Sequence, residues 1–185
     1  MSKLMVFNSV SVDGYFTDTK GDMSWAHQDD PEWREFTIEN ASGDGILLFG
    51  RVTYEMMVSY WPTPQAQQQF PEVADRMNKA QKVVFSRSLN KASWNNTRLV
   101  KGDLPGEVRK MKKGADDIVI LGSGTIVSQL AQEKLIDQYQ LIVNPIVLGA
   151  GRTLFEGMKD KLPLKRTQSR TFKNGNVLVT YEPAR

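Results

Sequence analysis

The chain contains no cysteine and a single histidine, His27. A disulfide framework, a thiolate nucleophile and a sulfur-ligated metal are therefore excluded, and so is a histidine-rich metal cluster. A Ser-His-Asp triad would have to use His27 without the G-x-S-x-G turn that presents such a serine. The Gly-Lys-Ser/Thr ending of a P-loop is also missing. No run approaches the roughly 18 apolar residues that a membrane-spanning helix requires. The apolar start at Leu4–Phe7 is too short for a secretory signal and has no cleavage pattern behind it. Charge of one sign is scarce too: 24 Lys and Arg against 21 Asp and Glu leave a net +3. The basic stretches 109–113 and 159–173 read as solvated faces, not as the dense stripe with interleaved aromatics that nucleic acid demands. The absences together lead to the expectation of a cytoplasmic chain without metal, membrane or nucleic-acid partner.

What is present has ordinary folded composition, 40% hydrophobic and 24% charged over 185 residues. That length suits one domain over 1–185 with a sizeable core. Buried strands are predicted at 3–11, 46–49, 82–86 and 118–121, where Val, Ile, Leu and Phe cluster between turn signals. Asp30-Pro31 starts a helix to about Ala41. Further helices are predicted over 52–60, over 65–80 with a break near Pro71, over 107–113, and over 125–134 on the spacing of Ile126, Val127, Leu130 and Ala131. A long strand over 137–148 contains Pro145, which suggests an edge or a bulge. Strands over 164–172 and 177–182 flank Asn174-Gly175, a strong hairpin signal. Alternating strands and helices followed by strands predict a three-layer α/β domain, with a mostly parallel central sheet and antiparallel C-terminal strands.

Ligands of open α/β sheets bind beyond the carboxyl ends of the strands, and three predicted ends carry residue types suited to phosphate. Leu121-Gly122-Ser123-Gly124-Thr125 runs from a strand through a glycine turn into a helix, where free N–H groups and the helix dipole favour an anion. A tight turn that needs glycine for backbone reasons alone would read the same way, and the full G-x-G-x-x-G pattern fails at Val127. Gly50-Arg51-Val52-Thr53 repeats the strand-to-helix theme with a guanidinium and a hydroxyl. Ser86-Arg87-Ser88 offers a third polar end, suited to a phosphomonoester or simply to a turn. A hydride donor held by its phosphates fits a chain so poor in catalytic side chains, because the cofactor carries the chemistry.

The residues at these positions resemble a known superfamily. Gly50-Arg51-x-Thr53-Tyr54-Glu55 is similar to the dihydrofolate-reductase segment where a helix N-terminus meets the NADPH phosphates. Ser86-Arg87 resembles the strand end that holds the adenosine 2′-phosphate, and Gly122-Ser123-Gly124 the glycine pair beneath the pyrophosphate. Leu135-Ile136-Asp137, Asn144-Pro145, Leu148-Gly149-x-Gly151 and Phe155 resemble the reductase domain of the bifunctional riboflavin-biosynthesis deaminase/reductase, as does Ser11-Val12-Asp13-Gly14. The resemblance implies a dihydrofolate-reductase-like fold and a reductase that uses NADPH, with 5-amino-6-(5-phosphoribosylamino)uracil as the type of small-molecule substrate. A dihydrofolate or pterin reductase is the alternative, and a nucleotide-binding protein without turnover is the alternative from another class. The resemblance also suggests a homodimer.

Cofactor contacts are expected from Val12, Gly14, Gly50, Arg51, Thr53, Ser86, Arg87, Leu121, Gly122, Ser123, Gly124 and Thr125. Hydride transfer to a C=N or C=O bond requires a proton, and a nearby carboxyl group would supply it. A folate enzyme carries its acid on the first helix, where Asp29, Asp30 and Glu32 stand. Glu32 is the first candidate and Asp13 the second, although a first-turn acid stabilised by the helix dipole and a turn residue beside glycine are equally good readings. Trp25 and Phe36 are candidate substrate-pocket walls.

Overall fold

The computed structural model describes residues 2–27, 30–41 and 43–184. In chain order the elements are β1 (Leu4–Ser11), β2 (Tyr15–Thr17), α1 (Pro31–Ala41), β3 (Ile46–Gly50), α2 (Arg51–Tyr60), α3 (Pro64–Gln69), α4 (Pro71–Lys79), β4 (Lys82–Phe85), β5 (Thr97–Val100), α5 (Leu104–Met111), β6 (Ile118–Ile120), α6 (Gly124–Gln132), β7 (Gln138–Asn144), β8 (Arg152–Thr153), β9 (Leu164–Thr171) and β10 (Val177–Pro183). Among the described residues, no helix is long and apolar enough to cross a membrane.

The main sheet has eight strands in the order β5-β4-β3-β6-β1-β7-β10-β9. Strands β5 through β7 pair in parallel, and β10 and β9 add antiparallel. Alternation along each strand sends successive side chains to opposite faces, which builds two layers of helix. Leu48 and Val83 join Leu4, Val6, Ile118 and Ile120 beneath α5 and α6. Phe49 and Val84 face the other way, against Tyr54 of α2 and Val73 and Met77 of α4. On that same side α1 sets Phe36 against Ile142, Leu178 and Phe172, with Phe7 and Trp33 at the margin.

Most predicted elements form near their predicted bounds, and two differ. The strand predicted over 137–148 stops at Asn144. It lies inside the sheet between β1 and β10, so Pro145 ends it instead of marking an edge, since proline cannot donate to the ladder. Helix α5 begins at Leu104, not 107, with Pro105 in its first turn, where a missing N–H costs nothing. The hairpin signalled by Asn174-Gly175 forms between β9 and β10. Gly175 N–H closes a turn onto Phe172 O at 3.0 Å, Phe172 N–H donates to Asn176 O at 2.9 Å, and Gly175 takes φ of +91°. This is a three-residue loop with glycine at its left-handed position. The small β2–β8 sheet had no sequence signal, because its three-residue and two-residue strands are too short for periodicity to show.

Candidate active site

Strands β1, β3, β4 and β6 run in the same direction, so their carboxyl ends gather along one rim. There the chain brings two helix N-termini together. Helix α2 follows β3 without a gap, and α6 follows β6 after Leu121-Gly122-Ser123. Gly50 N–H donates to Gly122 O at 3.0 Å, and Leu121 N–H to Leu48 O at 3.2 Å. The approach is close enough to require glycine. A Cβ on Gly50 would lie 2.8 Å from Ser123 Oγ and 3.2 Å from Ile126 Cγ1, and one on Gly122 would lie 2.9 Å from Thr53 Oγ1. The Gly122–Ser123 peptide is cis. Neither helix has a side-chain cap at its N-cap residue, so first-turn N–H groups, each end of a macrodipole, are left for an outside acceptor.

The structure places the other expected cofactor residues as follows. Ser123 Oγ and Thr125 Oγ1 are hydrogen-bonded at 2.9 Å on the rim of α6. Arg51 is exposed at the start of α2 and pairs with Glu55 at 2.9 Å. Thr53 is buried against Gly122. On the next strand end, Ser86 N–H donates to Val100 O, Ser86 Oγ accepts from Leu89 N–H at 2.9 Å, and Arg87 extends into solvent. Two glycine-cradled helix N-termini with cations and hydroxyls at the margin fit a pyrophosphate and a neighbouring phosphomonoester.

Beside this cradle the sheet opens. Pairing of β1 with β6 ends at Val6–Ile120, whereas pairing of β1 with β7 continues to Ser11–Asn144. From Phe7 to Ser11, β1 therefore runs past the end of β6, and its edge on that side has no strand partner among the described residues. On this stretch Asn8 Nδ2 donates to Leu121 O at 3.4 Å. Nothing in the sequence had drawn attention to Asn8. The available signal was a polar residue at an inward position of an apolar strand.

The two expected proton donors are both engaged elsewhere. Asp13 Oδ1 accepts from Ser11 Oγ at 2.7 Å and Leu148 N–H at 3.1 Å, and Oδ2 from Gly149 N–H at 2.7 Å. Foremost the Ser11 hydroxyl holds its carboxyl below the usual carboxylate range; desolvation opposes it, and the Leu148 and Gly149 amides add to the lowering. Such a group stays ionised and clasps the 146–149 loop, which is a poor arrangement for giving up a proton. Glu32 turns toward the β9–β10 hairpin, where Oε2 accepts from Lys173 N–H at 3.0 Å and Oε1 lies 3.9 Å from Arg170. Asp30 Oδ1 accepts from Trp33 N–H at 2.9 Å, and Asp29 lies outside the described residues. Of the pocket walls, Phe36 is buried among Phe7, Trp33 and Phe172, which makes it core. Trp25 is half-buried with its Nε1 donating to Asp22 O at 3.1 Å. Val12 is 61% exposed and its N–H donates to Ile146 O. Gly14 forms the turn after β1, with φ of +87°. Among the described residues, no group of three or more His, Asp or Glu side chains is placed to hold a metal.

A groove of about 580 Å³ lies at the amino ends of β3, β4 and β5, lined by Ile46, Lys82, Trp94 and Arg98 among others. It sits at the opposite rim of the sheet from the paired helix N-termini.

Residues 2–178 match the family model of the RibD C-terminal domain. The uncharacterized protein YyaP of Bacillus subtilis (strain 168) is 27% identical over 175 residues, which span 94% of this chain and 90% of YyaP. Among solved structures, the diaminohydroxyphosphoribosylaminopyrimidine deaminase/5-amino-6-(5-phosphoribosylamino)uracil reductase of Thermotoga maritima superposes with a TM-score of 0.67 at 16% identity, over 99% of this chain and 57% of that one. The dihydrofolate reductase of Enterococcus faecalis, solved with NADP(H), gives 0.67 at 15% identity over 99% and 97%. The fold is that of dihydrofolate reductase.

Proposed function

The chain belongs to the RibD C-terminal domain family, a family of reductases, and on that footing we propose that it is an NADPH-dependent reductase of a ribosylaminopyrimidine of the riboflavin-biosynthesis type. The observation that carries the reading is the contact of the α2 and α6 N-termini through Gly50 and Gly122, next to the edge where β1 outruns β6. NADPH, when bound, supplies the hydride. The chain's own residues bind and orient. First-turn amides of α2 and α6, with Ser123 and Thr125, take the pyrophosphate. Arg51, Ser86 and Arg87 take the 2′-phosphate, and the open edge of β1 receives the ring-bearing end. Asp13 and Glu32 act as positioning groups, the first fixing the 146–149 loop and the second the hairpin. The relatives that bear a named activity support the reading: one is a reductase of that phosphoribosylaminouracil and another was solved with NADP(H).

The test is consumption of NADPH by the purified protein, offered the deaminated ribosylaminopyrimidine phosphate and dihydrofolate in parallel. Turnover of the first alone is expected. Turnover of dihydrofolate alone would move the substrate to the pterin class, toward which Gly50-Arg51-x-Thr53 leans. Turnover of neither, with NADPH bound, would overturn the reductase reading.

A further inference from the structure

Tyr54 lies one residue past Thr53 in α2 and is 2% exposed. Its ring packs with Phe49 and Trp94 at centroid distances of 6.4 and 6.3 Å. Phenylalanine would fill that place as well, and a buried hydroxyl is costly unless it is hydrogen-bonded. Here the hydroxyl accepts from the backbone N–H of Trp94 at 3.0 Å, across 40 residues of chain. Trp94 belongs to the segment 86–96, which leaves β4 through Ser86-Arg87-Ser88 and returns to start β5 without helix or strand of its own. The course of such a segment depends on individual contacts. Ser86 Oγ accepts from Leu89 N–H at 2.9 Å, Leu89 and Ala92 rest on the cluster of Phe49, Tyr54 and Trp94, and Trp94 Nε1 donates to Asn78 Oδ1 at 2.7 Å. The bond to Tyr54 ties the segment to α2. These two elements carry the two halves of the proposed 2′-phosphate grip: Arg51 on α2, Ser86 and Arg87 on the segment. A phosphomonoester held from two sides needs them at a fixed spacing, because charge-assisted hydrogen bonds are strong only in good geometry.

We propose that Tyr54 is a positioning residue for cofactor selectivity: the bond from Trp94 N–H to its hydroxyl sets the spacing of Arg51 from Ser86 and Arg87, and with it the preference for a dinucleotide that bears a 2′-phosphate. This deepens the NADPH reading and rests on it. Tyr54 acts through the two elements it joins and is not a catalytic residue.

The experiment is equilibrium binding of NADPH and NADH to the wild type, Tyr54→Phe and Trp94→Phe, run well below the melting temperature that thermal unfolding gives for each. Tyr54→Phe keeps the ring and deletes the acceptor. Trp94→Phe keeps the backbone N–H that Tyr54 binds and removes the indole bond to Asn78. Both variants should melt below the wild type. The expected result is an approximately tenfold loss of NADPH affinity in Tyr54→Phe alone, the equivalent of one charge-assisted hydrogen bond, with NADH affinity within about twofold of the wild type in both variants. Equal losses of NADPH and NADH in Tyr54→Phe, or unchanged NADPH affinity despite a lower melting temperature, would mean that the hydroxyl serves stability alone. The same NADPH-specific loss in Trp94→Phe would mean that packing of the segment, and not the hydroxyl, sets the spacing. Each of these overturns the proposal while leaving NADPH binding intact. If the wild type binds NADPH no better than NADH, the cofactor reading falls and the assignment of Tyr54 falls with it.

Discussion

At the residue scale the account turns on whether single atoms stand where a ligand or a loop requires them. Gly50 is the sharpest case. A methyl group there meets Ser123 Oγ at 2.8 Å and Ile126 Cγ1 at 3.2 Å, so Gly50→Ala crowds the Ser123 and Ile126 side chains at the α6 N-terminus. Overpacking of this kind costs about 1–3 kcal/mol. Thermal unfolding should show the loss, and NADPH titration should show weaker binding beyond what the unfolded fraction explains. Asp13 makes a pH-dependent prediction. Its folded pKa is lowered, so its contribution is present above the unfolded value of 3.8 and is lost as pH falls through the folded one. Asp13→Asn should therefore melt below the wild type at neutral pH, and the gap should close in acid. A constant gap would mean that the carboxylate charge is not what holds the loop. Gly50 and Gly122 were legible in the sequence because strand, glycine and helix start follow one another locally. The backbone amides that Asp13 and Glu32 accept from were not, because they arrive from 135 to 141 residues away. A carboxylate at the mouth of a site looks the same in sequence whether it is free or clasped.

Elements are held by devices that lie outside their own segments. Helix α4 ends over Lys82 of β4, which is 1% exposed. Its ammonium donates to the carbonyls of Met77 at 2.8 Å, Asn78 at 3.2 Å and Ala80 at 2.6 Å, and lies 4.5 Å from the centre of the Trp94 ring. It thus caps the helix C-terminus with a cation where the macrodipole favours one. Burial pushes its pKa down to about 8 from 10.5. The unfolded chain binds this proton more tightly, so the cost of burying the charge is fully present below about pH 8 and is relieved as pH rises toward 10.5. Lys82→Met fills the space but leaves helix-terminal carbonyls without a donor, and should cost about 2 kcal/mol at neutral pH. In denaturant unfolding, the wild type should gain on the variant between pH 8 and 10.5. Parallel pH profiles would contradict this picture of Lys82. The β9–β10 hairpin is a second case. Gly175 holds φ of +91° with Pro145 Cγ 3.1 Å from where its Cβ would sit, so Gly175→Ala should destabilise by at least about 1 kcal/mol, read by thermal unfolding. Sequence reading found the capping positions of α1 and the Asn-Gly turn. It missed the lysine cap, because a lysine in an apolar strand gives no hint of the helix end above it.

Over the whole molecule, the order of strands and helices was largely visible in the alternation of apolar runs and turn residues, and so was the switch to antiparallel strands at the C-terminus. The insertion of β6 between β1 and β3 was not. That arrangement follows from which faces α1, α2 and α6 cover, a long-range property with no local periodicity. It is also what makes the site, because it brings the glycine turn after β6 between the ends of β1 and β3. The two glycine turns could thus be named from local motifs, while their contact and the unpaired edge of β1 emerged only from the three-dimensional pairing.

The central claim is that this rim binds NADPH through its phosphates, and the most direct test is fluorescence titration of NADPH and NADH against the wild type and the double variant Arg51→Gln, Arg87→Gln. The account predicts that the wild type prefers NADPH. It also predicts that the double variant loses about 100-fold in NADPH affinity, roughly tenfold for each charge-assisted hydrogen bond removed, while NADH affinity changes little. Equal losses for the two dinucleotides, or no binding of NADPH by the wild type, would contradict it.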